Sequence, residues 1–319
     1  MTVRVGVVGA GVMGGVHLHN LLDLGCAVSL YSVVESEELA AGRARVCQSY
    51  DELLDSVDWV LIATPTDTHH DLATAALRAG RDLIVEKPLA RTAAEAADLM
   101  TTAEAAGRQV WPGHVVRFFP EYRALRDAVA GGRLGELAVL RFTRAGRFPD
   151  RSPWFADVPR SGGIVMDQMI HDLDIALWLA GPVSHVSAVG HHDDSGPVPV
   201  HVAHVTLRHA SGAISLASGT WGAPDMPFLT SFSVAGTGGV LEHASEREQT
   251  TLTYLDRSIR ADGDLPAYQA GRNPYRDELA AFLDPPSSPT VTGWDAVEAV
   301  RVAEAALRSL ETGEPEVIA

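Results

Sequence analysis

The sequence predicts two domains, a parallel α/β domain over residues 1–118 followed by an α+β domain over residues 119–319. Three observations lead there. The chain has 319 residues, more than one hydrophobic core usually organises. Up to Trp111, short apolar runs rich in β-branched residues alternate with helical stretches and short turns. That is the pattern of a parallel sheet covered on both faces. Beyond Phe118 come one helix and then several strand-like runs with little helix between them, parted by turns such as His209-Ala210-Ser211-Gly212 and Gly236-Thr237-Gly238. Those runs read as one mostly antiparallel open sheet.

Residues 3–8 are the first expected strand, and Gly9-Ala10-Gly11-Val12-Met13-Gly14 leads from it into a helix over 14–24. Glycines in this spacing, after a strand and opening a helix, mark a dinucleotide-binding turn. Gly9 permits the tight turn, Gly11 lets the backbone approach a pyrophosphate, and Gly14 allows helix and strand to pack closely. The phosphates would meet the free N–H groups at the helix start, with Val12 and Met13 beside them. The first domain is therefore expected to be a Rossmann domain holding NAD or NADP.

A second strand over 27–33 leads into Tyr31-Ser32-Val33-Val34-Glu35. An acidic residue at this strand end holds the ribose hydroxyls of NAD. If the strand ends early, Ser32 takes that position and nothing repels a 2′-phosphate. If it runs two or three residues longer, Glu35 takes it and NAD is favoured. No Arg or Lys immediately follows Ser32 to grip a phosphate, so the reading leans to NAD.

The alternation continues with a helix over 35–43, strands at 45–48, 58–63 and 82–85, and a helix over 92–106. Ligands bind at the carboxyl ends of such strands. Thr64-Pro65 and Glu86-Lys87-Pro88 lie at those ends, so Lys87 is expected at the mouth of the cofactor crevice.

In the second domain, residues 120–130 read as a helix, and strands are expected near 136–145, 183–189, 200–208, 213–221, 229–235 and 239–243. Helices over 274–283 and 294–310 close the chain. Between the first two strands, Ser161-Gly162-Gly163 opens an apolar helical run through Ile164, Val165, Met169, Ile170, Leu173 and Leu177. Asp167 and His171 are four apart and share one face of it. A carboxylate beside an imidazole orients the ring and raises its basicity.

A net charge of −16 argues against a nucleic-acid or anionic-membrane partner, since both need clustered Lys and Arg. Cys26 and Cys47 sit in apolar segments and read as free thiols. With no charged leader and no run of eighteen apolar residues, a cytoplasmic protein is expected. His191, His192, His201 and His204 do not form a ligand set by spacing, and no metal is expected. Arg117, Arg160, Trp154 and Trp221 are candidates to line a ligand pocket, with surface or core packing the alternative for each. The second sheet has one face left to cover, so a homodimer or homotetramer is expected.

Taken together these motifs resemble the glucose–fructose oxidoreductase and inositol dehydrogenase (Gfo/Idh/MocA) family. The resemblance is carried by Gly9-x-Gly11-x-x-Gly14 with His17, by Ala63-Thr64-Pro65 with His69, and by Glu86-Lys87-Pro88. Gly113-His114 to Arg117-Phe118, Gly162-Gly163-x-x-x-Asp167-x-x-x-His171-x-x-Asp174 and Pro289-x-Val291-Thr292 complete it, over nearly the whole chain. It implies an NAD(P)-dependent oxidoreductase acting on a sugar or cyclitol hydroxyl, or the matching ketone. Lys87 would then contact the reacting hydroxyl, His171 would act as general acid/base, and Asp167 would orient substrate or histidine. Thr64, Pro65, His69, Glu86 and Lys87 would border the cofactor, and Arg117 and Trp154 the substrate. Hydride transfer from an alcohol needs a base for the proton and a positive group for the developing oxyanion, which agrees. The alternative is a catalytically silent dinucleotide-binding regulator or assembly protein of the same fold.

Overall fold

The computed structural model describes residues 2–34, 37–150, 152–196, 198–245, 273–286 and 289–318. Its contacts divide the chain into two units, one of Met1–Phe119 with Gly271–Val300, the other of Pro120–Ala270 with Arg301–Ala319. The first edge falls beside the expected boundary at 118. The return of the chain to the first unit was not expected, because nothing in the closing helices' own pattern names the surface they cover.

The first unit is built on six parallel strands: β1 (Arg4–Val8), β2 (Ala27–Tyr31), β3 (Arg45–Val46), β4 (Trp59–Ile62), β5 (Asp82–Glu86) and β6 (Val110–Gly113). They lie in the order β3-β2-β1-β4-β5-β6. The order reverses at β1, and such a switch point opens a crevice at the carboxyl ends of the strands. Between the strands run α1 (Val12–Asp23), α2 (Glu37–Ala40), α3 (Tyr50–Ser56), α4 (His69–Arg78) and α5 (Ala93–Ala106).

Alternate strand residues feed opposite faces of the sheet. Val5, Val7, Leu30, Leu61 and Ile84 pack with Leu18 and Leu21 of α1. Val8, Val60, Ile62, Leu83 and Val85 pack with Leu53, Leu77 and Leu99 on the other face. Thr92 and Glu95 form reciprocal side-chain bonds to each other's backbone N–H, which fixes the start of α5. A later helix, described below as α9, adds Leu279 and Phe282 to the face that α1 covers.

The second unit begins with α6 (Pro120–Ala130) and β7 (Leu137–Arg147), followed by the short α7 (Val158–Ser161) and α8 (Ile170–Ala180). Strands β8 (Val183–Asp193), β9 (Val200–His209), β10 (Ile214–Gly222), β11 (Leu229–Gly236) and β12 (Gly239–Ala244) follow. Helices α9 (Pro274–Leu283) and α10 (Gly293–Thr312) lead to β13 (Glu316–Val317), a short edge strand with no sequence signal of its own. The sheet order is β12-β11-β7-β10-β9-β8-β13, and β7 and β10 pair in parallel within an otherwise antiparallel sheet.

The apolar run after Gly163 is not one uniform helix. Val165–Met169 form a π-helical turn that leads into α8. A π turn sets one residue out of the regular ladder, and such turns recur at functional sites. Gly219 of β10 lets this turn come close, since a Cβ there would strike Met169 and Ile164. No helix among the described residues is long and apolar enough to cross a membrane.

Candidate active site

In the first unit the candidate residues gather at the carboxyl edge of the sheet. Gly9 has a φ of 105°, a conformation L side chains rarely adopt, and its N–H donates to Tyr31 at 2.9 Å. A Cβ on Gly14 would strike the Gly9 carbonyl, and one on Gly9 would strike Ala63. A Cβ on Gly11 would meet nothing within 4 Å. Gly9 and Gly14 therefore serve the turn and its packing, while Gly11 keeps the space above the helix start open.

Gly11 caps α1 without a side-chain bond, and no acidic residue stands in the first turn. The leading N–H groups are thus left to an anion. Val12 is exposed and Met13 half-buried at this mouth. The cradle suits a dinucleotide pyrophosphate.

β2 ends at Tyr31, two residues short of the expected end, so Ser32 follows the strand at once. Its hydroxyl accepts the Val34 N–H at 3.2 Å. Glu35, the other candidate for the ribose position, lies outside the described residues.

After β4, the Thr68 hydroxyl donates to the Pro65 carbonyl at 2.7 Å and receives the Thr64 hydroxyl at 2.7 Å. His69 is buried, with Nε2 2.9 Å from the Thr64 carbonyl and Nδ1 2.8 Å from the Pro88 carbonyl. Burial lowers its pKa more than the two carbonyls raise it. The ring lies between the turn after β4 and the turn after β5, facing a backbone carbonyl of each.

Glu86 is also turned inward. Oε1 lies 2.6 Å from Nε2 of His17, and Oε2 accepts the backbone N–H of Lys87 at 3.0 Å. Burial raises the Glu86 pKa, but the bond to His17 and the positive charges of His17 and Lys87 outweigh it, so the carboxyl is held below the usual range. Half-buried Lys87 thus follows a carboxylate that pins its own backbone, and the Lys87–Pro88 peptide is cis.

Arg117 is only 2% exposed, and its guanidinium donates to the Thr290 carbonyl at 2.9 Å and to Asp295 at 3.3 Å. The substrate contact expected of it gives way to a fastening of residues 290–295 onto the first unit. An isolated arginine in sequence does not reveal which surface it will face.

In the second unit, every residue from Ser161 to Ala176 is buried except Asp167 and His171. These two polar side chains are the open positions on an otherwise enclosed element. The π turn and α8 are anchored from below by Arg144 of β7. Its Nη2 and Nε donate to the two oxygens of Asp172 at 2.8 and 3.2 Å, and Nη2 lies 3.4 Å from the Tyr122 hydroxyl. The Arg144 carbonyl accepts from Nε2 of Gln168 at 2.8 Å. One strand residue therefore holds the positions that follow Asp167 and His171.

Trp154 is half-buried in a short 3₁₀ turn, edge-on to Phe155 at 4.9 Å, while Trp221 is buried and Arg160 exposed. His201 bonds Asp194 at 2.7 Å and stacks on His192 at 4.5 Å. Among the described residues, no three His, Cys, Asp or Glu side chains are grouped to hold a metal.

Sequence reasoning missed Arg144, Gln168, Asp172 and the buried Glu278, and it named His17 with the glycine motif without its bond to Glu86. A signal was present for two of them. Arg144 occupies an inward position in the alternation Leu140, Phe142, Arg144, and Glu278 interrupts the apolar stripe Tyr275, Leu279, Phe282.

Known proteins match this chain over nearly its whole length. Residues 3–114 match the oxidoreductase family with an NAD-binding Rossmann fold, and residues 122–242 match the GFO/IDH/MocA C-terminal domain. The chain is 30% identical to myo-inositol 2-dehydrogenase of Thermotoga maritima, over 97% of this chain and 96% of that one. It is 29% identical to 1,5-anhydro-D-fructose reductase of Ensifer adhaerens, over 86% of this chain and 84% of the relative. Among solved structures, GenD2 from gentamicin A biosynthesis, in complex with NAD, superposes with a TM-score of 0.86 at 28% identity, covering 100% of this chain and 97% of the other. With its nucleotide cradle, its Glu86-Lys87-Pro88 strand end and its Asp167–His171 turn, the chain belongs to the Gfo/Idh/MocA family of oxidoreductases.

Proposed function

We propose that this protein is an NAD-dependent dehydrogenase that oxidises a secondary ring hydroxyl of a cyclitol, with an inositol as the first substrate to test. The observation that carries the reading is the opening of Asp167 and His171 alone along an otherwise buried sixteen-residue stretch. Neutral His171 accepts the hydroxyl proton as the alcohol becomes a ketone, and Asp167 orients the ring or the substrate. Lys87 offers its ammonium to the oxygen as negative charge develops. Bound at the glycine turn, a nicotinamide dinucleotide supplies the hydride acceptor.

Inositol dehydrogenases recur among the relatives, which supports a cyclitol over an open-chain polyol. NAD is favoured over NADP because residues 32–42 contain three glutamates and no Arg or Lys to grip a 2′-phosphate. The NAD held by GenD2 points the same way. A cytoplasmic location belongs to this reading, since the free thiols Cys26 and Cys47 suit a reducing compartment.

Following NADH formation with myo-inositol, scyllo-inositol and a panel of aldoses tests the proposal. NAD reduction with an inositol, and none with the His171→Ala variant, is the expected result. Tight dinucleotide binding without turnover on any polyol or ketosugar would instead favour the regulatory alternative.

A further inference from the structure

The helix that carries Asp167 and His171 is continuous from Ile164 to Ala180, with the π turn of Val165–Met169 set inside it. Such turns are rare and short, so this one needs contacts that hold it. A π turn closes its hydrogen bonds over five residues where an α turn spans four. Residues in and before it are therefore rotated, by up to about 100°, from the places a uniform helix would give them. Asp167 stands in the middle of the turn and His171 just beyond it. The turn thus sets the direction of the carboxylate relative to the imidazole.

Two contacts meet the turn on its buried side. Gln168 is 7% exposed, and its Nε2 donates to the Arg144 carbonyl of β7 at 2.8 Å. Met169 lies against Gly219 of β10, where a Cβ would strike its side chain. Arg144 and Gly219 are direct partners in the parallel pairing of β7 and β10. The missing side chain at Gly219 therefore brings the turn down onto the sheet beside the carbonyl that Gln168 reaches. Burial alone does not account for a glutamine here, since Ile164, Val165, Met166, Met169 and Ile170 around it are apolar and fully covered. A buried amide without a partner is costly, so the group at 168 is explained by its bond. Beyond His171 the same strand residue acts again, through its guanidinium on Asp172 at 2.8 and 3.2 Å. Arg144 holds the helix on both sides of His171, and of its two bonds only that of Gln168 lies within the π turn.

We propose that Gln168 is a positioning residue for the reaction. Fixed on the Arg144 carbonyl, its amide keeps the π turn wound and so fixes the direction of the Asp167 carboxylate relative to His171. Without that bond the turn relaxes to α spacing and Asp167 rotates, while His171 stays where Asp172 holds it.

The role in turnover rests on the proposed dehydrogenase, but the hold on the π turn is tested without it. Gln168→Met keeps an unbranched side chain and removes the donor. Its crystal structure should show residues 165–169 in regular α spacing, with Asp167 displaced and His171 in place. Its kcat on the alcohol that the wild type oxidises should fall about ten- to a hundredfold, the loss that misplacement by about 1 Å can cause. The Kd for NADH should not change, because the glycine turn belongs to the other unit of the chain. Adding Gln168→Met to Asp167→Asn should slow the enzyme no further, since Gln168 acts only through Asp167. Gly219→Ala lifts the turn from the strand side and leaves the amide in place. It should likewise lower kcat and add nothing to Asp167→Asn, and it carries the same test should Gln168→Met not fold. A π turn that persists in the Gln168→Met crystal, a kcat within about twofold of wild type, or losses that multiply in the double variant would each overturn the proposal. A turn that straightens in Gln168→Met, in a protein whose wild type oxidises no alcohol, would sink the proposed activity and leave the hold of Gln168 on the turn standing.

Discussion

Asp167 and His171 show how much one residue's role depends on what surrounds it. Both were nameable from their spacing, whereas Arg117 and His69 were named through the resemblance, and their buried side chains meet backbone carbonyls. If His171 is the general base, His171→Ala should lower turnover by ~10²–10⁴, the usual contribution of a positioned acid/base group. Dinucleotide affinity, measured by NADH fluorescence titration, should stay unchanged, because His171 belongs to the other unit of the chain from the glycine turn. In the oxidation direction the wild-type rate should rise with pH, since an imidazolium cannot accept the hydroxyl proton. Near-normal turnover in His171→Ala would remove the histidine from the mechanism. Lys87→Met should also cut turnover, with KM for the alcohol rising more than the Kd for NADH.

At the level of elements, the glycine turn separates packing from binding. Gly11→Val should fold, losing only the ~1 kcal/mol of a poorer helix cap, while NADH affinity collapses because the Cβ enters the open cradle. Gly14→Val should instead lower Tm strongly, because its Cβ meets the Gly9 carbonyl. Equal Tm losses in the two variants would contradict this division. The seat of α8 makes a second case. Arg144→Met leaves Asp172 buried without its partner, and loss of one member of a buried pair costs about 3–5 kcal/mol. Urea denaturation should record that loss, and Arg144→Lys should recover part of it. A loss below about 1 kcal/mol in Arg144→Met would mean that the pair does not hold the helix.

For the whole molecule, the chain's return to the first unit explains why its closing helices carry buried polar groups such as Glu278. The open face of the second sheet is more mixed than expected: Ile214 and Leu216 stand beside Thr143, Ser218, Thr220 and Ser231. A face of this kind suits a partly hydrated contact between copies of the chain. A dimer or tetramer is the expected mass by light scattering, and Leu216→Lys, on the open face of β10, should shift it toward monomer. A monomeric wild type at working concentration would refute the expected association.

The sequence by itself determined the order of the main strands and helices, the Rossmann domain and the glycine turn, because these rest on local periodicity and on backbone freedom that only glycine supplies. It also determined the Asp167–His171 spacing and the strand end that carries Lys87. The tertiary structure alone decided that Ser32 follows β2 at once, that a π turn carries Asp167, and that Arg144, Gln168 and Asp172 seat the helix beneath His171. It alone brought Glu278 of α9 to the α1 side of the first unit, over 190 residues from Glu86 in the chain. The reason is physical: a hydrophobic pattern states which side of an element is buried, but not against what. A buried charge takes its function from the partner that packing delivers to it.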